Sequence, residues 1–301
     1  MLTVRPVRVP SVEAYLNAPG RKSPTALNTV LSYRLRELRD TAGMKPSVAA
    51  RSLRCSPPKL SRLERGLGRL YPSDVERMLD LYQAPESPDQ FLQLVKHANE
   101  PGWWAQHKRV VPKWFDRFIG LQEASTWIRT YEYQLVPGLL QTPEYAREVI
   151  KRAYLFAPPS EVERRLRLRM ERQELLFFPR GPRLLAVLHE AVLRTEVGGR
   201  DVMRRQLEYL EHVSRCGTIT LQILPFVVNG ALALGSPMTL LRFDNYQLPD
   251  IVYIERGTDA EYIEEQEDSQ TFSAQMSQLT LQAASIERSR EMLQEAIIGL
   301  S

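Results

Sequence analysis

Lys59, Ser61 and Arg62 lie within one helical turn of each other, directly behind Pro57 and Pro58, in the stretch MKPSVAARSLRCSPPKLSRLERG from Met44 to Gly66. An ammonium, a hydroxyl and a guanidinium at that spacing offer hydrogen-bond donors and positive charge from one side of a helix. Such groups suit duplex DNA: lysine and arginine reach the guanine acceptors, serine pairs with several base edges, and proline rings touch thymine methyls. Because Pro57 and Pro58 bring no hydrogen-bonding side chain, direct base readout is expected to rest on Lys59, Arg62 and Ser61. Arg34, Arg36, Arg54, Arg65 and Arg69 are placed as phosphate contacts that position the domain. A local Arg62–Glu64 salt-bridge framework is the competing structural role, and it is preferred for Glu64.

Those side chains need short helices to hold them. Leu27, Val30, Leu31, Leu35 and Leu38 follow helical spacing over 27–41, and Gly43 is a glycine stop. Pro46 opens a second helix whose buried face is Ala49, Ala50 and Leu53. Ser56 caps a third, with Leu60 and Leu63 inward and Gly66 at its end. Val75, Met78, Leu79 and Tyr82 mark a fourth over 73–82, and a fifth runs from Pro88 to about Ala98. The second and third make a helix-turn-helix, a layout that lays its second helix in the major groove.

Charge is divided unevenly. From Arg21 to Arg69 there are twelve lysines and arginines against three acids, a net +9. From Asp244 to Asp268 nine acids face Arg256 alone, a net −8. A polyanion therefore fits the N-terminal block only. The chain as a whole, 301 residues at +4 and 43% hydrophobic, is long enough for two domains with ordinary cores. No apolar run reaches membrane-span length, so no membrane association is expected. The segment MLTVRPVRVP lacks the basic-then-apolar order of an export signal. Cys55 and Cys216 are expected as free thiols in a reducing cytoplasm.

Residues 1–25 are Pro-rich and aperiodic and are expected as an extended arm, followed by the DNA-binding domain at 26–99 and an aromatic linker at 100–117. The remaining 118–301 form a second domain. Helices are expected over 118–130, 142–154 and 160–176, the last rich in arginine (Arg164, Arg165, Arg167, Arg169, Arg172). The segments 183–189, 218–224, 237–243 and 250–255 read as strands, the last two as an antiparallel hairpin, with a helix over 201–214. A single final helix is expected over 266–298. Its seam of Phe272, Met276, Leu279, Ala283, Ile286, Leu293, Ile297 and Leu300 either packs on its own sheet, the preferred reading, or dimerises.

No Cys/His spacing suits a metal and no phosphate-binding loop is present, so neither a metal nor a cofactor is expected. His189 and Glu190 are considered as an acid/base pair, with a satisfied histidine preferred. The cluster Glu261, Glu264, Glu265, Glu267 and Asp268 is expected as a solvated helix start. Trp103, Trp104, Trp127, Tyr131 and Tyr133 are candidate walls of a small-molecule pocket, with core packing as their other role.

The segments LSYRLRELRDTAGM (31–44) and SPPKLSRLERG (56–66) resemble the Xre/Cro-like helix-turn-helix family. FDRFIGLQEASTWIRTYEYQLVPGLLQTPEYAR (115–147), with ILPF at 223–226, TLLRF at 239–243 and VYIE at 252–255, resembles the DUF5753 domain appended to such regulators in filamentous, sporulating bacteria. The resemblance implies a transcriptional regulator, with a small DUF397-type protein as partner or antagonist. Two positions depart from the family: Pro46 stands where a glutamine is usual, and Arg54 where the turn has glycine. Arg54 held left-handed would cost about 1 kcal/mol.

The expected fold is mainly α with an α+β C-terminal region: a five-helix lambda-repressor-like domain, then a helical domain with a mostly antiparallel sheet. The expected function is a cytoplasmic DNA-binding transcriptional regulator, not an enzyme. Its C-terminal domain forms a homodimer and receives a protein or an unassigned small molecule. The alternative is a small-molecule binder or enzyme on a regulator scaffold that has lost DNA binding.

Overall fold

The structure is a computed structural model that describes residues 23–300 apart from 86, 180, 228–235 and 244–247. The chain divides into two compact units, one ending at Ala105 and the other holding 106–242 and 249–301.

The first unit is built of five helices: α1 Pro24–Thr41, α2 Pro46–Ser52, α3 Pro57–Glu64, α4 Pro72–Leu81 and α5 Pro88–Ala98. Each begins with proline, whose missing N–H costs nothing in a first turn. Ser23 caps α1 by accepting from the Ala26 amide, and Ser56 caps α3 by accepting from the Lys59 amide. Helix α1 thus starts three residues before Leu27; 1–22 of the expected arm lie outside the described residues. Leu27, Val30, Leu31, Leu35 and Leu38 are all buried, as are Ala49, Ala50, Leu53, Leu60 and Leu63.

Between α2 and α3 the backbone turns through Arg54, which takes φ 52°, the left-handed region that glycine favours. The Arg54 and Cys55 amides donate back to the Arg51 and Ala50 carbonyls, closing α2. Replacing Arg54 with glycine is expected to raise the melting temperature of the first unit by relieving about 1 kcal/mol of backbone strain. A lower melting temperature would show that the Arg54 side chain outweighs the strain.

The second unit wraps helices around a six-stranded sheet. Its elements are α6 Lys113–Ala124, β1 Trp127–Glu132, α7 Pro143–Ala153, α8 Pro159–Gln173, β2 Arg183–His189, α9 Ala191–Arg194 and α10 Arg200–Val213. Then come β3 Ile219–Leu224, β4 Met238–Phe243, β5 Leu248–Glu255, β6 Ala260–Ile263, α11 Gln266–Gln282 and α12 Ile286–Gly299. The strand order is β3-β2-β1-β4-β5-β6. Strands β1, β2 and β3 run parallel, while β4 is antiparallel to β1 and β6 to β5. The sheet is therefore mixed rather than mostly antiparallel.

Residues 113–117, expected in a linker, open α6. Residues 127–130, expected in a helix, belong to the central strand β1. The reason lies in the partners: α6 ends where the Ser125 hydroxyl donates to the Gln122 carbonyl, and the Thr126 amide donates to the Arg242 carbonyl of β4. From there Trp127 pairs with Arg183 on one side and Arg242 on the other. Propensity in W-I-R-T-Y-E already allows a strand, and the two neighbours decide it.

The single final helix is two. Between α11 and α12 the chain docks on the edge strand β3: the Ala284 amide donates to the Ile223 carbonyl, and the Ile223 amide donates to Ser289 Oγ. Ser285 caps α12 through the Arg288 amide. Met276 and Leu279 of the expected seam are wholly buried with Tyr131, Val187, Leu240 and Val252 of the sheet, while Phe272 and Ala283 pack against that cluster. Packing on the chain's own sheet, the preferred role, accounts for these four seam residues.

Candidate nucleic-acid interface

The third helix is clamped from behind. Arg39, on the apolar side of α1, sends Nε to Glu64 Oε1 at 2.7 Å and Nη2 to Glu64 Oε2 at 2.9 Å. Its Nη1 donates to Asp40 at 2.6 Å and to the Met44 carbonyl at 3.0 Å. Both side chains are almost fully buried, so the pair holds the end of α3 against the end of α1. The Glu64 hydrogen bond raises the Arg39 guanidinium above its ordinary value. Next to it, the Asn28 amide donates to the Gly66 and Gly68 carbonyls at 3.1 and 3.3 Å. Gly66, at φ +66°, lies so close to α1 that a Cβ would meet Thr29 Cα at 3.0 Å.

The front of α3 is open. Ser56, Pro57, Pro58, Lys59, Ser61 and Arg62 are all exposed. Lys59 Nζ sits 2.8 Å from Asp74 Oδ2 on α4, and Asp74 is also bound by Arg77. Hydrogen bonding from Lys59, then charge from both cations, holds the Asp74 carboxyl below its ordinary value. Arg62 makes a 3.4 Å contact to the Leu67 carbonyl. Among the expected phosphate contacts, Arg36, Arg54, Arg65 and Arg69 are exposed. Arg69 stands 5.7 Å from the Tyr71 ring centre. Arg34 is half-buried and ion-paired with Glu37 at 2.5 Å, so part of its charge is spent within α1.

Glu64 therefore does have a structural role, but its partner is Arg39 and not Arg62. The sequence alone does not single out Arg39, Asn28 or Asp74. Arg39 carries a usable signal: it follows Leu31, Leu35 and Leu38 on the buried face of α1, where a cation needs a buried partner.

The second unit contains a cavity of about 370 Å³ whose lining includes Trp114, Phe115, Phe118, Glu132, Tyr253 and Glu255. None of the five aromatics expected to wall a pocket lines it. Trp103 and Trp104 belong to the first unit and meet edge-on at 5.9 Å. Trp127 lies under the Arg183 guanidinium at 4.8 Å. Tyr131 is in the sheet core, with Tyr133 packed on it. Core packing accounts for Tyr131 and Tyr133.

Burial, with the nearby Glu255 charge second, pushes the Glu132 carboxyl up to about 8. Burial, with the nearby Arg169 charge second, brings the Arg172 guanidinium down to about 10, and burial also lowers Arg169.

His189 and Glu190 are each held by other partners. His189 Nδ1 accepts from the Ala191 amide at 3.1 Å, and Glu190 accepts from the Phe226 amide and pairs with Arg194. In the acidic cluster, Glu265, Glu267 and Asp268 do start α11. Glu264 differs from expectation: it is half-buried and paired with Arg117, 2.5 Å away.

Among the described residues no group of histidine, cysteine, aspartate and glutamate could hold a metal ion, and no helix is long and apolar enough to cross a membrane.

Comparison with known families agrees with this anatomy. A model described as a helix-turn-helix domain matches residues 30–90, spanning α2, α3 and α4 entire. A model described as a domain of unknown function, DUF5753, matches residues 115–295, more than half of the chain. No curated protein and no solved structure matches. With its sheet domain matched almost end to end, the chain belongs to the DUF5753 family and carries a helix-turn-helix domain ahead of it.

Proposed function

We propose that this chain is a transcriptional regulator that binds duplex DNA through α3 and acts as a homodimer without catalysis of its own. The observation that carries the reading is the two-sided construction of α3. Its back is pinned by the buried Arg39–Glu64 pair, while its front presents Lys59, Ser61 and Arg62 to solvent. A rigid helix with donors on one face is what base-edge recognition needs. Lys59 must leave Asp74 to reach DNA, so Arg62 carries more of the readout. Two copies would set their recognition helices about 34 Å apart, one turn of DNA. The C-terminal domain supplies the dimer contact and receives a signal, from a small molecule or from a small DUF397-type protein. A cytoplasmic location follows from that role.

Gel shifts on the promoter that drives the chain test this. Arg62→Ala is expected to weaken binding by about 1–3 kcal/mol and to relax specificity at one base pair. Lys59→Ala is expected to weaken it less, since part of its charge is already matched by Asp74. Removing a side chain that neutralises one phosphate should reduce the salt slope by about 0.9. If both variants bind as tightly as wild type with the same salt slope, α3 is not the reading helix.

A further inference from the structure

Five charged side chains line the cavity of the second unit: Glu132 on β1, Arg165, Arg169 and Arg172 on α8, and Glu255 on β5. Arg165 is paired with Glu161; among the described residues the other four make no ion pair. Glu255 accepts from the Tyr253 hydroxyl at 3.1 Å, and Arg169 donates to Gln141 Oε1 at 2.6 Å. Arg172 and Glu132 make no side-chain hydrogen bond at all within the described residues. Arg172 is only 8% exposed, and its Nε is buried without an acceptor. A second orphan of the same lining is the buried Gln122 Oε1.

Burying charges is costly unless they are matched. Among the described residues neither Glu132 nor Glu255 reaches ion-pair distance of Arg169 or Arg172. Arg172 is fixed by its surroundings. Its guanidinium stacks over the Phe115 ring at 4.9 Å, and Phe118 stacks on Tyr253 at 3.9 Å between ring centres. A Cβ on Gly138 would come within 2.6 Å of Arg172 Nη2, so only glycine lets the guanidinium lie there. The result is a preformed, aromatic-walled cavity with a planar donor fork from α8 and a carboxyl from β1.

We propose that this cavity is a binding site for a compact zwitterion with an apolar body, about the size of an aromatic amino acid. The ligand's carboxylate meets Arg172 in the bidentate geometry a guanidinium favours. Its ammonium group meets Glu132, which gives up its proton to solvent as the cation arrives, and its apolar part lies along Phe115 and Phe118. A molecule bearing one charge leaves either Arg172 without an anion or Glu132 without the cation that lets it ionise, which is what separates this class from simple acids or amines. A volume of about 370 Å³ suits a ligand of this size. The assignment deepens the signal-receiving role proposed above for the C-terminal domain and rests on it only for its regulatory meaning.

The test is calorimetric titration of the full chain, without DNA, with L-phenylalanine, 3-phenylpropanoate and 2-phenylethylamine as probes. L-phenylalanine is expected to bind at least tenfold more tightly than either single-charge probe. Arg172→Gln should lower affinity for L-phenylalanine and 3-phenylpropanoate tenfold or more while leaving 2-phenylethylamine within twofold. Glu132→Gln should do the reverse, and as a near-isosteric change it keeps the test alive if Arg172→Gln fails to fold. Absence of saturable L-phenylalanine binding, equal affinity for all three probes, or indifference to both substitutions overturns the site and leaves a water-filled cavity. A separate gel shift with and without saturating L-phenylalanine tests signalling. Demonstrated binding with unchanged DNA affinity would remove the signalling role and leave the site standing.

Discussion

Glu64→Ala is expected to destabilise the first unit by about 3–5 kcal/mol, the cost of leaving a buried cation without its partner. The side chains of Arg39 and Glu64 are only 4% and 6% exposed, and two charge-assisted hydrogen bonds join them. Removing the carboxylate leaves Arg39 with Asp40 and the Met44 carbonyl through Nη1, while Nε and Nη2 face protein. The damage should be read locally because the chain has two units and need not unfold in one step. Amide exchange in α1 and α3 is expected to accelerate, with α10 and β2 in the other unit unchanged. DNA binding should fall as well, since the pair sets the pose of α3. The double variant Arg39→Met/Glu64→Leu is the control. Replacing a buried pair by apolar groups is often neutral or stabilising, so exchange protection should return. Unaltered exchange in Glu64→Ala would show that the pair does not hold the helix.

The second large effect concerns pH and Glu132. Its carboxyl is raised to about 8, first by burial and then by the Glu255 charge. Other groups face the same cavity: Tyr253 from β5, and Arg165, Arg169 and Arg172 from α8. A glutamic acid in the unfolded chain titrates near 4.3. The folded chain therefore holds this proton more tightly, and its stability falls as pH rises from about 4.3 to about 8. Below that window the carboxyl is neutral in both states and contributes no difference. Glu132→Gln stays neutral throughout. Its stability is expected to match wild type near pH 4 and to exceed it by about 5 kcal/mol at pH 8.5. A stability difference that does not grow with pH would mean that Glu132 is ionised in the fold without penalty.

Much of the first unit is legible along the chain because its contacts are local. Prolines opening helices, serines capping them and leucines at 3–4 spacing each act within a turn or two, so α1 to α5 and their buried faces follow from position alone. Arg54 stands where the resembling helix-turn-helix family has a turn glycine, which implies a left-handed residue, and it takes φ 52°. The partners of charged residues are less legible. Glu64 can be assigned a structural role from the sequence, but choosing Arg39 over Arg62 needs a contact spanning 25 residues.

In the second unit the balance reverses. The segment of β1 reads as helix because W-I-R-T-Y-E is short and lacks alternation strong enough to exclude one; pairing with β2 and β4 decides it. The break between α11 and α12 depends on Ile223 more than on any helix breaker, since Ala283 and Ala284 are good helix formers. Residue type alone points to aromatics other than those that line this cavity. The aromatics that do line it, Trp114, Phe115, Phe118, Tyr154 and Tyr253, come from three segments far apart in sequence.

By itself the sequence determined a basic helix-turn-helix with Lys59, Ser61 and Arg62 on an exposed turn, and a larger α+β domain behind it. Periodicity, capping and charge are local properties, and they survive without knowledge of the rest of the chain. Only the tertiary structure decided what holds α3 in place, and that Lys59 is shared with Asp74. It alone also brought Glu132, Glu255, Arg169 and Arg172 into one cavity. These are long-range electrostatic choices: a buried charge takes its meaning from whatever the fold sets beside it, and no spacing along the chain encodes that neighbour.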